Sequence, residues 1–350
     1  MFTYYMVENG KILDNKQKII YYPPDDFIND IVNKDVCFIC GADRRDKEFN
    51  DEHIIPNWLL KRLDLFNKKI KLPNNQLFSY SKYKVPCCKE CNSELGVFYE
   101  TPISQILKPK FEDLIKNINE ENTKLIFKWM SLIFLKTHIK DKDVRFDPDS
   151  RNSSINNSAL YDWLYIHHVH CLARSYYTSA VIEDTVYGSL IFIPTLEESP
   201  NYKFDYIDNH QGRVVSLRAG DYAIIAVLDD SRFSAIIFQN QLKKLRGHRL
   251  SFLQIREVVA NFISININIK NRPSYFSGLD DKCRYTIFAK CPVDIELLDK
   301  EDWVYTPGKI LRDYIENLEG INLNSKELFD IENDKNSFLF DEHSNFISNS

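Results

Sequence analysis

Cys37-Phe38-Ile39-Cys40-Gly41, then Asp51-Glu52-His53-Ile54-Ile55-Pro56, then Cys87-Cys88-Lys89-Glu90-Cys91-Asn92-Ser93-Glu94-Leu95-Gly96: the reading of this chain turns on these three segments. Two Cys-x-x-Cys knuckles bracket an acid–histidine pair. Zinc takes four thiolate or imidazole ligands in a tetrahedron, and a Cys-x-x-Cys turn presents both of its sulfurs on one side of a tight loop. Cys37 and Cys40 make one pair. Cys88 and Cys91 make the other, because Cys88 and not Cys87 has the two-residue gap to Cys91. The expectation is a small unit stapled by a structural zinc ion on Cys37, Cys40, Cys88 and Cys91. A strand ending at His53 and stopped by Pro56 would set an imidazole at a strand–loop junction, and a helix is expected to begin at Asn92, after the second knuckle.

The rest of the composition frames that unit. The chain has 350 residues, 44% of them hydrophobic and 27% charged, with a net charge of −5. This is ordinary for a globular protein of two domains and excludes a general affinity for polyanions; any nucleic-acid surface must be local. No apolar run reaches the ~20 residues of a membrane span. Met1 to Met6 has no basic region followed by an apolar core. Eight cysteines, most of them in the knuckle region, suit metal binding in a reducing cytoplasm better than a disulfide framework.

Working outward, residues 1–36 read as a hairpin, with strands over Phe2–Val7 and Lys18–Tyr22, and a short helix over Asp26–Val32 behind Pro23-Pro24. Residues 37–140 read as the zinc unit with flanking helices. In the second of these, about Glu121 to Ile139, Leu125, Trp129, Leu132, Ile133 and Lys136 recur at helical spacing. Residues 141–158 are polar and read as a linker. Residues 159–320 read as a second domain: a helix over Ala159–Tyr177, then strands over 179–182, 188–193, 204–207, 213–217, 222–228 and 234–238, a mostly antiparallel sheet with helices. Residues 321–350 read as a frayed, polar, acidic tail. The fold class expected is α+β.

The pattern Cys37-x-x-Cys40, Glu52-His53-Ile54-Ile55-Pro56 and Cys88-x-x-Cys91-Asn92 resembles the HNH endonuclease superfamily. The resemblance covers residues 37–96. It implies a ββα-metal fold in which His53 is the general base that activates water, and Glu52 and Asn92 bind a catalytic Mg²⁺ or Mn²⁺ ion separate from the zinc. The family's middle asparagine has no counterpart: aligned on Cys88, its place falls near Tyr83. Glu94 and Glu100 follow on the helix and could supply another contact to that metal, or stand as solvated charges.

Local charge points to a nucleic-acid partner. Lys61, Arg62, Lys68, Lys69, Lys71, Lys82 and Lys84 lie between His53 and Cys91, opposed mainly by Asp64 and Glu90, as phosphate contact needs. By contrast, His167-His168-Val169-His170-Cys171 reads as packing rather than a metal cluster, because adjacent helical residues point apart. Cys283 and Cys291 read as isolated core thiols.

The expectation is therefore a metal-dependent endonuclease that hydrolyses DNA, or RNA, in the cytoplasm, with no membrane association. Its C-terminal half would recognise a trigger, a protein partner or the substrate, by analogy with bacterial anti-phage defence and restriction effectors. Cutting both strands with one centre per chain would call for a homodimer. The alternatives are a non-catalytic zinc-dependent nucleic-acid-binding protein and a protein-interaction subunit.

Overall fold

The structure is a computed structural model that describes residues 5–72, 74–145, 147, 149, 155–318 and 320–348. Mixed helices and antiparallel sheets make it an α+β fold. The residues group into two compact units. The first joins Met1–Lys108, Asn117–Val186 and Tyr275–Ala289; the second joins Pro109–Lys116, Tyr187–Ser274 and Lys290–Ser350.

The first unit is built on the helix Glu120–Asp141. Its start is set by Asn119, whose side chain accepts the Asn122 N–H, and by Glu120 and Glu121 at the positive end of the helix dipole. From Ile126 to Ile139 almost every residue is buried, so this is a central helix packed on all sides rather than an amphipathic surface helix. The helix Trp163–Ala173 packs against it. The N-terminal strands Tyr5–Glu8, Lys11–Asp14 and Ile19–Tyr21 form an antiparallel sheet of three strands rather than a single hairpin. Residues 2–4 of the anticipated first strand lie outside the described residues.

The anticipated linker 141–158 does not divide the units, and its residues 146, 148 and 150–154 lie outside the described residues. Beyond it the chain stays in the first unit as far as Val186 and enters the second at Tyr187. The cause is polar as well as apolar. His167 Nε2 lies 2.7 Å from the Tyr22 carbonyl, His170 Nε2 lies 3.3 Å from that of Phe38, and Arg174 donates to the carbonyls of Ile39, Ile20 and Ile19. The helix expected to open the second domain thus holds the N-terminal sheet and the first knuckle. The histidine run serves packing, in keeping with its spacing.

In the second unit a four-stranded antiparallel sheet runs in the order Phe204–Asn209, Val214–Ala219, Tyr222–Val227, Leu190–Pro194. Its two inner strands are buried along their whole length. The helix Phe252–Ile267, opened by a Ser251–Gln254 capping box, shares a core with the sheet and with the helices Pro307–Ile315 and Ser325–Glu332.

Three expectations need correction here. The segment 234–238 is not a strand but the helix Phe233–Ile237: the buried Asp230 carboxylate takes the Ser234 N–H and turns the chain. The tail is not frayed. Ile331 and Leu339 enter the core, and the buried Glu257 carboxylate accepts the main-chain N–H groups of Phe338 and Leu339. Cys283 and Cys291 are exposed rather than core thiols.

Candidate functional site

The four expected cysteines meet. The Sγ atoms of Cys37, Cys40, Cys88 and Cys91 all lie within 4.8 Å of one another. A zinc–sulfur bond of ~2.3 Å implies a tetrahedron edge of roughly 3.8 Å, and the Cys40–Cys88 sulfur separation is 3.8 Å. The cluster could hold a zinc ion. Local backbone chemistry brings the two halves together. In the first knuckle Gly41 N–H donates to the Cys37 carbonyl, and Gly41 takes a φ of +73°, where a side chain is strained and a methyl would meet the Tyr22 hydroxyl. In the second, Cys88 precedes the first turn of the helix Lys89–Leu95. Phe49 pairs with Cys88, and Lys89 N–H donates to the Glu48 carbonyl. Cys87 is buried with its sulfur 4.0 Å from that of Cys37 and stands outside the four.

Beside the cysteines the chain makes a two-stranded antiparallel ribbon, Glu52–His53 against Lys84–Val85, with the helix Lys89–Leu95 following it. Glu52 pairs with Val85 and His53 with Lys84. Successive side chains on a strand point to opposite faces, so Glu52 turns inward and is buried while His53 is half-buried. A pocket of about 330 Å³ is lined by Asn50, Asp51, Glu52, His53, Asn57, Trp58, Lys84, Asn92 and Glu100. All three residues expected at the chemical centre, His53, Glu52 and Asn92, therefore border one cavity.

Their surroundings differ. Burial holds His53 below its ordinary imidazole value, and the Lys84 and Lys136 ammoniums push it further down against the pull of Glu52. A weaker upward influence comes from the Ser81 main chain. Asn92 donates its amide to Asn50 Oδ1 at 2.9 Å and to the Asp51 carbonyl at 3.3 Å, which fixes the loop before the ribbon to the helix after it. Glu52 is held by Lys136 of the central helix. The Lys136 Nζ, with no exposed side-chain surface, lies 2.9 Å from Glu52 Oε1 and 2.7 Å from the His53 carbonyl. Glu100 accepts the Trp58 indole N–H at 2.9 Å through Oε2, while its Oε1 is shut off from solvent and has no hydrogen-bond partner. Burial, helped by the nearby Glu52 charge, pushes the Glu100 carboxyl up to about 7, against a partial downward pull from Lys136 and the indoles of Trp58 and Trp129. Trp58 stacks on Trp129 with ring centroids 6.3 Å apart, so the aromatic core of the central helix backs the pocket.

Tyr83, at the place of the absent asparagine, is buried and donates its hydroxyl to Asp141 at 2.7 Å; it ties the ribbon to the central helix. Lys61, Lys68 and the strand residues Lys69 and Lys71 are exposed, and Lys84 is half-buried at the pocket. Lys82 lies in the short turn Tyr80–Lys82 before the ribbon's second strand. Lys69 and Lys71 flank the buried Ile70 on one strand of the hairpin Lys69–Lys71/Leu77–Ser79, so they share its outer face. A main-chain bond from Tyr80 to Lys68 sets the 80–82 turn beside it. Arg62 is exposed but engaged: it donates to the carbonyls of Leu107 and Ser104 and lies over the Trp58 ring.

Sequence pattern does not single out Asn50, Asn57 and Trp58 at the pocket, nor Lys136 as its support. Lys136 alone carries a signal, a lysine at a core-facing position of an apolar helix.

No protein-family model, curated protein or solved structure matches this chain. Among the described residues, no helix is long and apolar enough to cross a membrane.

Proposed function

We propose that this protein is a metal-dependent HNH-type endonuclease that hydrolyses phosphodiester bonds, with DNA as the favoured substrate. The observation that carries this reading is the convergence of His53 and Asn92, from a ribbon and the helix after it, on one pocket beside a four-cysteine cluster. His53 is the general base. Its depressed pKa leaves the imidazole unprotonated at neutral pH, so it can take a proton from an attacking water. The Lys136 bond to the His53 carbonyl keeps the ring's backbone in place. Lys84, across the ribbon from His53, would meet a substrate phosphate. The unsatisfied carboxylate oxygen of Glu100 and the Asn92 side chain fit a hard divalent cation such as Mg²⁺ or Mn²⁺. When bound, such an ion supplies charge stabilisation at the phosphate. The exposed lysines around Lys68–Lys71 give the sequence-independent grip on the backbone, and the second unit would serve substrate or partner recognition, as in a defence effector.

The test is nicking of a supercoiled plasmid with Mg²⁺ or Mn²⁺ by the wild type and by His53→Ala. Cation-dependent nicking lost in the variant supports the reading. Absence of nicking by the wild type, or undiminished cleavage by the variant, overturns it in favour of a binding module.

A further inference from the structure

Three carboxylates border the pocket, and they are not equivalent. Asp51 is paired with the Arg44 guanidinium at 3.0 Å. Glu52 Oε1 is in contact with the buried Lys136 ammonium at 2.9 Å, and the same ammonium holds the His53 carbonyl at 2.7 Å. A divalent cation on Glu52 would share a carboxylate with a fixed positive charge in poorly solvated surroundings, where like charges repel strongly. Glu100 differs from both: among the described residues no lysine or arginine forms an ion pair with it, and Lys136 acts on it through its charge without bonding to it. One of its oxygens is fixed by Trp58, which orients the carboxylate; the other has no donor within hydrogen-bond distance, although the Trp129 indole also acts on the group. An enclosed carboxylate oxygen without a donor is costly to leave bare.

The helix supplies a second, independent reason. Asn92 and Glu100 are eight residues apart, and a straight α-helix would set them about 80° apart around its axis. Between them the helix widens into a π-turn over Gly96–Glu100. Such a turn bonds i to i+5 and takes in one extra residue, which brings residue 100 back into line with residue 92. Both side chains border the same pocket as a result. Asn92 has its amide nitrogen engaged with Asn50 and Asp51, which leaves its Oδ1 as the end available to a cation.

We propose that Glu100 and Asn92, aligned by the π-turn, are the protein ligands of the divalent cation, and that Glu52 is not a ligand but the partner through which Lys136 holds the His53 strand. The proposal rests on the reading of this pocket as a divalent-cation site. It moves one role from the residue beside the histidine to a residue distant from it in sequence, and makes Lys136 and Glu52 positioning residues.

Binding of Mn²⁺ to the zinc-loaded full-length protein, followed by electron paramagnetic resonance of the free ion, tests it. Glu100→Gln should weaken Mn²⁺ binding by about tenfold or more with zinc content and a cooperative fold kept. The double variant Glu52→Gln/Lys136→Met should bind Mn²⁺ about as well as the wild type. Unchanged affinity in Glu100→Gln overturns the proposal and leaves the nuclease reading standing, and so does loss of binding in a folded double variant. A wild type that takes up no Mn²⁺ overturns both. Should Glu100→Gln fail to fold, the double variant alone decides, because it retains Glu100 and removes Glu52.

Discussion

Replacing Lys136 with methionine probes the link between fold and pocket. The side chain keeps its length and loses its charge. In the native protein the ammonium is fully buried and contacts both the Glu52 carboxylate and the His53 carbonyl. Removing one partner of a buried ion pair leaves an uncompensated charge and costs about 3–5 kcal/mol. Within that loss, the orphaned His53 carbonyl accounts for roughly 1 kcal/mol or more. Replacing both partners, Glu52→Gln with Lys136→Met, removes the stranded charge and should recover about 2 kcal/mol or more relative to the sum of the single variants. Guanidinium unfolding followed by tryptophan fluorescence is the assay, because the stacked Trp58 and Trp129 rings lie beside this cluster. A Lys136→Met cost below about 1 kcal/mol, or single costs that simply add in the double variant, would refute the view that this pair clamps the His53 strand.

Three further outcomes follow from the same geometry. Cys88→Ser should lose the zinc and the fold of its unit, whereas Cys87→Ser should retain about one zinc ion per chain by elemental analysis, because Cys87 stands outside the four clustered sulfurs. Glu100 has its carboxyl pushed up to about 7 by burial. Its contribution is therefore fully present below the unfolded pKa of about 4.5 and is lost as pH rises through 7. With no divalent cation other than zinc present, Glu100→Gln should gain on the wild type by up to about 3 kcal/mol between about pH 4.5 and 8, and thermal melts that stay parallel across that range would contradict the assignment. Replacing Lys68, Lys69 and Lys71 together with alanine should weaken DNA retention and flatten its salt dependence by about one unit of slope for each phosphate no longer neutralised, while an unchanged slope would place the nucleic-acid surface elsewhere.

How much of this is legible in the sequence depends on the range of the interaction. The pairing of Cys37 and Cys40 with Cys88 and Cys91 follows from spacing alone, and the structure brings those four sulfurs together. The long helix announces itself through the periodicity of Leu125, Trp129, Leu132 and Ile133, because a central helix must present apolar residues to its neighbours. What the sequence hides is the partner of each buried polar group. Lys136 sits visibly at a core position, but nothing local ties it to Glu52, far away in the chain. Arg174 and His170 satisfy carbonyls of the first knuckle, so their helix belongs to the first unit despite the polar stretch that precedes it. Glu100 is hard to place for a different reason: regular helical spacing puts it off the face of Asn92, and only the π-turn restores it. At 234–238 a β-branched, apolar run looks like a strand until the buried Asp230 carboxylate takes the Ser234 N–H and the chain turns into a helix. The terminal segment looks polar because its few apolar anchors, Ile331 and Leu339, are separated by exposed residues.

On this proposal one short stretch of chain carries two separable metal functions: four cysteines that keep its shape and a histidine pocket that performs the chemistry. The most direct measurement is cleavage of a supercoiled plasmid by zinc-loaded wild type and His53→Ala, matched for zinc content and melting temperature. The expected result is Mg²⁺- or Mn²⁺-dependent nicking by the wild type, and its loss in a variant that keeps its zinc and its fold. Nicking that persists in His53→Ala, or a wild type that cleaves nothing with either cation, would contradict it.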